Sequence, residues 1–142
     1  MLFRLGVMLM SWKSDKYRIK LNINLPNGIY VLGAESGLGK TYLASWLKRL
    51  CGYGEPVTAV QCDTEIIKLP LKQNIPHKCK VFMLDEYTLY NDRSDLSCEL
   101  EELSKDMVVL IDCKVKPNLS CEFGYAYISL RDRFEIYVGR SI

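Results

Sequence analysis

A glycine-rich stretch at residues 33–41 constrains this chain more than any other feature. An apolar run at residues 29–32 precedes it, and apolar residues at helical spacing follow from Tyr42. A strand, a glycine-rich loop and a helix in this order line up backbone N–H groups at the positive end of the helix dipole. The sequence therefore predicts that phosphate groups bind at this loop.

The stretch matches the pattern G-x-x-x-x-G-K-[ST], except that Ala34 takes the place of the first glycine. In this pattern the lysine, here Lys40, reaches the outer phosphates, and the hydroxyl group, here that of Thr41, ligates Mg²⁺. A glycine-rich turn can match by chance, but the strand before it and the helix after it favour the phosphate-binding interpretation. The predicted nucleotide-binding residues are Ala34, Glu35, Ser36, Gly37, Leu38, Gly39, Lys40, Thr41 and Tyr42.

The length of 142 residues predicts one domain, with a β-appendage at residues 1–28 and a nucleotide-binding core at residues 29–142. Hydrophobic residues make up 49% of the chain and charged residues 25%, a balance typical of globular proteins. The six cysteines include no C-x-x-C pair, and His77 is the single histidine, so the sequence argues against a zinc site. Free thiols, the lack of a cleavage site after the apolar N-terminus and the lack of a membrane-length run predict a cytoplasmic protein without a membrane partner.

Hydrophobic periodicity predicts strands that alternate with helical segments, an order typical of a parallel sheet. Residues 3–12 and 17–25 predict an antiparallel pair, and residues 125–130 and 134–138 predict a C-terminal hairpin. Leu96, Leu100 and Leu103 mark one face of an acidic helix, whereas the prolines within residues 63–76 allow only a brief helix or a loop. Further strands are predicted at residues 57–62, 80–84 and 107–111.

Two acidic residues, Asp85 and Glu86, follow the apolar strand predicted at residues 80–84. Ligands of open parallel sheets bind at the carboxyl ends of the strands, so this pair should lie close to the glycine-rich loop. Asp85 is the predicted second residue of a Mg²⁺ site, together with Thr41. Glu86 is the predicted general base that polarises an attacking water molecule, and Lys40 is the other catalytic residue.

With these two motifs, residues 29–112 resemble the P-loop NTPases, in particular the division with a catalytic glutamate that includes ABC, RecA-like and AAA+ ATPases. The motifs correspond to the Walker A and Walker B motifs of that superfamily. The resemblance implies a three-layer α/β fold with a mostly parallel central sheet ordered 5-1-4-3-2, flanked by the β-appendage and the hairpin. It also implies ATP in preference to GTP, Mg²⁺ as cofactor, and a γ-phosphate-sensing position at Asp112. No feature assigns a subfamily.

The resulting hypothesis is an ATPase that couples Mg-dependent ATP binding and hydrolysis to a conformational or assembly change with a protein partner or a second copy. One alternative is a nucleotide-dependent binding module with little turnover. Another is a small-molecule kinase, because the acids at residues 63–65 loosely resemble the D-x-D of such enzymes. Nucleic acid stays open as a partner, since residues 1–50 hold eight Lys and Arg against two acids. The arginines that could act on a neighbouring subunit are Arg93, Arg131, Arg133 and Arg140.

Overall fold

The computed structural model describes residues 11–14, 19–32, 37–132 and 135–140. These ranges hold two α-helices, α1 (Gly37–Gly52) and α2 (Ser94–Leu103), and two 3-10 helices, Leu71–Asn74 and Tyr87–Tyr90. The strands are β1 (Ser11–Ser14), β2 (Lys20–Asn24), β3 (Gly28–Leu32), β4 (Val57–Gln61), β5 (Val81–Asp85), β6 (Val108–Ile111), β7 (Gly124–Asp132) and β8 (Glu135–Gly139).

All eight strands belong to one sheet in the order β1-β2-β8-β7-β3-β6-β5-β4. The five strands β7-β3-β6-β5-β4 are parallel to one another, and their order is the predicted 5-1-4-3-2. Beyond β7 the strands no longer all run in the same direction. Strand β8 is antiparallel to β7, β2 is parallel to β8, and β1 is antiparallel to β2. The sheet is therefore mixed.

The prediction of a three-layer α/β P-loop NTPase fold is wrong. The sheet is a mixed, strongly curled half-barrel, and the described part of the chain has only two short α-helices. The connection from β4 to β5 carries only the 3-10 helix Leu71–Asn74, and the connection from β6 to β7 carries no helix. Prolines at positions 70, 76 and 117 restrict helix formation in these two connections. The connections from β4 to β5 and from β6 to β7 therefore supply no α-helix to cover the sheet.

The N-terminal strands are part of the sheet and not an appendage to it. The predicted antiparallel pairing is present, since Trp12 lies opposite Ile23, although residues 1–10 and 15–18 of the two predicted strands lie outside the described residues. Along its whole length β2 also pairs with β8, with Ile23 opposite Val138. The antiparallel pairing of β7 with β8 agrees with the predicted C-terminal hairpin. Through β8, the N-terminal strands continue the curved sheet.

Helix α1 packs on one face of the sheet, mainly against β4, β5 and β7. Leu43, Leu47 and Leu50 are fully buried there, in one apolar cluster with Leu21 and Ile136. The helix begins at Gly37 and not at the predicted Tyr42, so the second half of the glycine-rich stretch is helical. Its N-terminal turns are thereby fixed against the sheet.

Helix α2 covers part of the opposite face, as the spacing of its leucines predicts. Leu96, Leu100 and Leu103 are buried in a second apolar cluster with Phe82 and Val109 of the neighbouring strands β5 and β6. No helix in the described ranges combines the length and the apolar character needed to cross a membrane.

Candidate functional site at the carboxyl ends of two parallel strands

The glycine-rich stretch is described only from Gly37 onward, so Ala34, Glu35 and Ser36 lie outside the described residues. Gly37 and Leu38 begin α1, and Gly39 is buried in its first turn. A Cβ atom at Gly39 would lie 2.9 Å from Cγ2 of Ile128 in β7, closer than van der Waals contact allows. This glycine therefore has a packing role, because the helix approaches the strand closely.

The next three residues of α1 differ in what they contact. The side chain of Lys40 is 13% exposed and forms an ion pair with Asp112, with 3.0 Å between Nζ and Oδ1. Thr41 is exposed, and its hydroxyl group makes no hydrogen bond within the described ranges. Tyr42 is also exposed, and its ring lies 6.5 Å from that of Trp46 one turn later. Of these residues, Lys40 is the one whose side chain reaches the acids at the strand ends.

Three acidic residues meet where β5 and β6 end. Asp85 is the last residue of β5, Glu86 follows it, and Asp112 follows the last residue of β6. One carboxylate oxygen from each lies within 4.8 Å of the others, and no other group of metal-ligating side chains of this kind occurs in the described part of the chain. Because β5 and β6 are parallel and Leu84 lies opposite Ile111, the strand ends bring Asp85 close to Asp112, as expected for neighbouring parallel strands.

Backbone hydrogen bonds continue past the ends of these strands and hold the three acids in place. The N–H of Asp112 donates to the carbonyl oxygen of Leu84 at 2.9 Å, and the N–H of Tyr87 donates to that of Asp112 at 2.8 Å. On the other side, the N–H of Cys62 donates to the carbonyl oxygen of Asp85 at 3.0 Å. The carboxylates are therefore carried by a backbone that is fixed on both sides.

The electrostatics of the cluster favour a bound proton. Asp85 and Asp112 are each only 6% exposed. Burial, then a hydrogen bond with Asp112, and then the negative charges of Asp112 and Glu86 raise the pKa of Asp85 to about 7. The cluster therefore retains a proton near neutral pH unless a cation replaces it.

Glu86 has an unusual backbone conformation. Its φ of 61° and ψ of 40° lie in the left-handed region, which residues with a Cβ atom seldom adopt. The strain is held by the surrounding hydrogen bonds, and it turns the chain from β5 directly into the 3-10 helix Tyr87–Tyr90. Strained residues of this kind cluster at functional sites, so the backbone independently marks Glu86 as a candidate.

The ion pair between Lys40 and Asp112 was not predicted. The sequence assigned Lys40 to phosphate groups and Asp112 to a sensing position, and it gave no sign that the two side chains meet across 72 residues. The available signal was an acid directly after an apolar strand, which is the same signal that identified Asp85. Asp112 thus balances the charge of Lys40.

The acids proposed for a small-molecule kinase have a different environment. Glu65 accepts hydrogen bonds from the N–H of Gln61 and from Nζ of Lys48, both at 2.8 Å. Burial alone would raise the pKa of Glu65, but these two hydrogen bonds and the charge of Lys48 outweigh burial and lower it. Glu65 therefore stabilises the turn after β4, whereas Asp63 is exposed.

The arginines proposed to act on a neighbouring subunit, where described, contact residues outside the acidic cluster. Arg93 pairs with Asp95 at 2.9 Å, and Arg140 lies 5.9 Å from the ring centre of Tyr30. Arg133 and the side chain of Arg131 lie outside the described residues.

All six cysteines are free thiols, and burial together with the charge of the nearby Asp85 raises the pKa of Cys62 to about 12.

No protein-family model, no curated protein and no solved structure matches this chain.

Proposed function

We propose that the chain binds ATP with Mg²⁺ beside Lys40 and hydrolyses it, with Glu86 as general base. The observation that carries this proposal is the convergence of Lys40 with Asp85, Glu86 and Asp112, where three carboxylates face one ammonium group. A buried site with surplus negative charge is costly for the folded protein, and such sites are retained where a function requires them.

The donor set fits a magnesium ion. Carboxylate oxygens are the hard ligands that Mg²⁺ prefers, and the surplus of negative charge over Lys40 suits a divalent cation. Asp85 would hold the ion with the hydroxyl group of Thr41, and Asp112 is a further candidate ligand. When bound, Mg²⁺ supplies positive charge that neutralises the phosphates and withdraws electrons from them.

The chain's own residues would then act in two ways. The phosphates of ATP compete with Asp112 for Lys40, whose ammonium group would move to the oxygens that gain charge in the transition state. Glu86 accepts a proton from water as the water oxygen bonds to the γ-phosphorus. The bond between that phosphorus and the bridging oxygen breaks, which releases ADP and inorganic phosphate.

Phosphate release and the binding of a fluorescent ATP analogue test this proposal on the whole chain. We expect Lys40→Ala to lose binding, and Glu86→Gln to bind ATP but to release phosphate at least about a hundredfold more slowly. Lys48→Ala, two turns later on α1, and Glu101→Gln, on α2, remove the same charges elsewhere and serve as matched controls. A Glu86→Gln protein with wild-type turnover would exclude Glu86 as the base.

The proposal includes an ATP-dependent change in association with a protein partner or a second copy, in the cytoplasm, where the six free thiols would stay reduced. Light scattering with ADP and with ATP on the Glu86→Gln protein would detect assembly. ATP binding without measurable turnover in the wild-type protein would instead favour a nucleotide-dependent binding module.

A further inference from the structure

A lysine-rich cavity lies at the opposite edge of the sheet, where the parallel strands begin. Its volume is about 780 Å³, a size typical of ligand sites. Four lysines line it, against two acids, Glu102 and Asp106; the lysines are Lys72, Lys78, Lys80 and Lys105. The cavity therefore has a surplus of positive charge.

Three of the four lysines form no ion pair in the described part of the chain, although the charge of Lys72, after the hydrogen bond and the charge of Lys105, also lowers the pKa of Glu102. Lys105 pairs with Glu102 at 2.8 Å, whereas Lys72, Lys78 and Lys80 form no ion pair with a described residue. The backbone of Lys80 is nevertheless fixed, because its N–H donates to Pro56 and its carbonyl oxygen accepts from Val108. Lysines without an ion-pair partner around a cavity are suited to an anionic ligand.

A second cavity, of about 520 Å³, lies where β3 and β7 begin. Phe123 and Tyr125 line it, with 5.9 Å between their ring centres, and Tyr125 is 53% exposed. Arg140 and Glu122 also line this cavity, so its formal charges balance, and Arg140 lies over the ring of Tyr30. Tyr125 is an exposed aromatic ring beside a cation, the kind of group on which a nucleobase stacks, whereas Phe123 is half-buried against the second apolar cluster.

The two cavities lie at the same end of the parallel strands, and hydrogen bonds connect the segments that line them. The side chain of Asn27 donates to the carbonyl oxygen of Lys105 at 3.4 Å, and the N–H of Gly28 donates to that of Met107 at 3.2 Å. Lys105 and Met107 line the first cavity, and Gly28 lines the second. The surface crosses β5, β6, β3 and β7, a span of roughly 14 Å at ~4.8 Å per strand, or about four stacked nucleotides at ~3.4 Å each.

We propose that this edge of the sheet binds single-stranded nucleic acid, with phosphates at the lysine-rich cavity and bases against Phe123 and Tyr125. The acids Asp85, Glu86 and Asp112 lie at the other end of the strands, so they do not oppose a phosphate chain bound at the lysines. A small anion would need the lysines alone, whereas a single strand uses the lysines and the aromatic rings together.

Fluorescence anisotropy with a labelled oligothymidylate of about ten nucleotides tests the proposal on the whole chain. The measurement is made without ATP or Mg²⁺, so its result does not depend on the proposed ATPase activity. Contacts of phosphates with the three lysines that form no ion pair, Lys72, Lys78 and Lys80, predict a slope of about −2 for the logarithm of the binding constant against that of salt concentration. Absence of binding at about 50 mM salt would overturn the proposal.

Charge and stacking are separated by matched variants. The double change Lys78→Gln with Lys80→Gln should reduce the magnitude of the salt slope by about 1.4, whereas Lys114→Gln with Lys116→Gln, past the far end of β6, should leave it unchanged. Tyr125→Ala should weaken binding at least about fivefold, and Tyr125→Phe, which keeps the ring, should bind like the wild type.

Competition identifies the class of ligand. Inorganic tripolyphosphate offers charge without bases and should compete much less well than unlabelled oligothymidylate, and duplex DNA should bind more weakly than the single strand. If tripolyphosphate competes equally and Tyr125→Ala binds like the wild type, the cavity is a simple anion site and the proposal fails. Equal loss of binding in the Lys114 and Lys116 control would also refute it.

Discussion

Replacing Asp85 by asparagine should make the protein more stable at alkaline pH, although Asp85 is a candidate metal ligand. The folded protein holds this carboxyl group in a buried cluster with Asp112 and Glu86, which raises its pKa to about 7. In the unfolded chain the pKa returns to about 3.9. At high pH, folding therefore buries the ionised carboxylate of Asp85 beside two other acids, which costs free energy.

The size and sign of the effect follow from these two pKa values. Between about pH 4 and pH 7 the folded form keeps a proton that the unfolded chain has lost, so wild-type stability falls as the pH rises. Three pKa units at ~1.4 kcal/mol each give a loss of up to about 4 kcal/mol, complete above pH 7. Asp85→Asn removes this loss, so the variant should resemble the wild type at pH 4 and exceed it at pH 8.

Urea unfolding from about pH 4 to pH 8, followed by tryptophan fluorescence, to which the buried Trp46 contributes, measures the difference. Asp106→Asn, an exposed change at the opposite edge of the sheet, is the control and should keep the wild-type profile. Mg²⁺ at pH 8 should stabilise the wild type more than Asp85→Asn, because the ion binds the folded form. Parallel stability profiles of the wild type and Asp85→Asn would refute the reasoning.

Three further changes test the packing and the ion pair by urea unfolding. Lys40→Met should cost about 3–5 kcal/mol at pH 8 by leaving Asp112 buried and unpaired. The cost should shrink below about pH 7, where Asp85 gains a proton and no longer repels Asp112, and an equal cost at all pH values would contradict this. Gly39→Ala should cost about 1–3 kcal/mol because the added methyl group collides with Ile128. The double variant Gly39→Ala with Ile128→Ala should cost less than the sum of the two single changes, and a simple sum would argue against the contact. Leu100→Ala should cost about 2–5 kcal/mol, since the side chain is fully buried; a value below about 0.5 kcal/mol, as expected for an exposed residue, would be inconsistent with the core.

The secondary structure was predictable where local periodicity and burial agree. The leucine spacing of α2 and the apolar runs of β5 and β6 each identify an element without knowledge of its neighbours. The pairing of β2 with β8 was not predictable in the same way. Alternation shows that residues 17–25 form a strand but not which strand lies beside it, and this pairing joins residues more than 110 positions apart.

The fold class was wrong for a related reason. The alternation of strand and helix signals was extended to every crossover, although the connections after β4 and β6 contain prolines and form no α-helix. The order of the parallel strands agreed with the expectation, but the strands added beyond β7 curl the sheet. Sheet curvature depends on which strands pair and where, and a single sequence does not reveal this.

The sequence by itself determined which chemical groups stand at the strand ends and at the start of α1, because acids after apolar runs and a lysine after glycines are local patterns. Only the tertiary structure decided that Lys40 pairs with Asp112, that Asp85 retains a proton, and that Gly39 packs against Ile128. Each depends on side chains from separate strands and helices meeting in a buried space. Local sequence patterns identify the charged side chains, whereas strand pairing and burial decide which of them meet and which keep a proton.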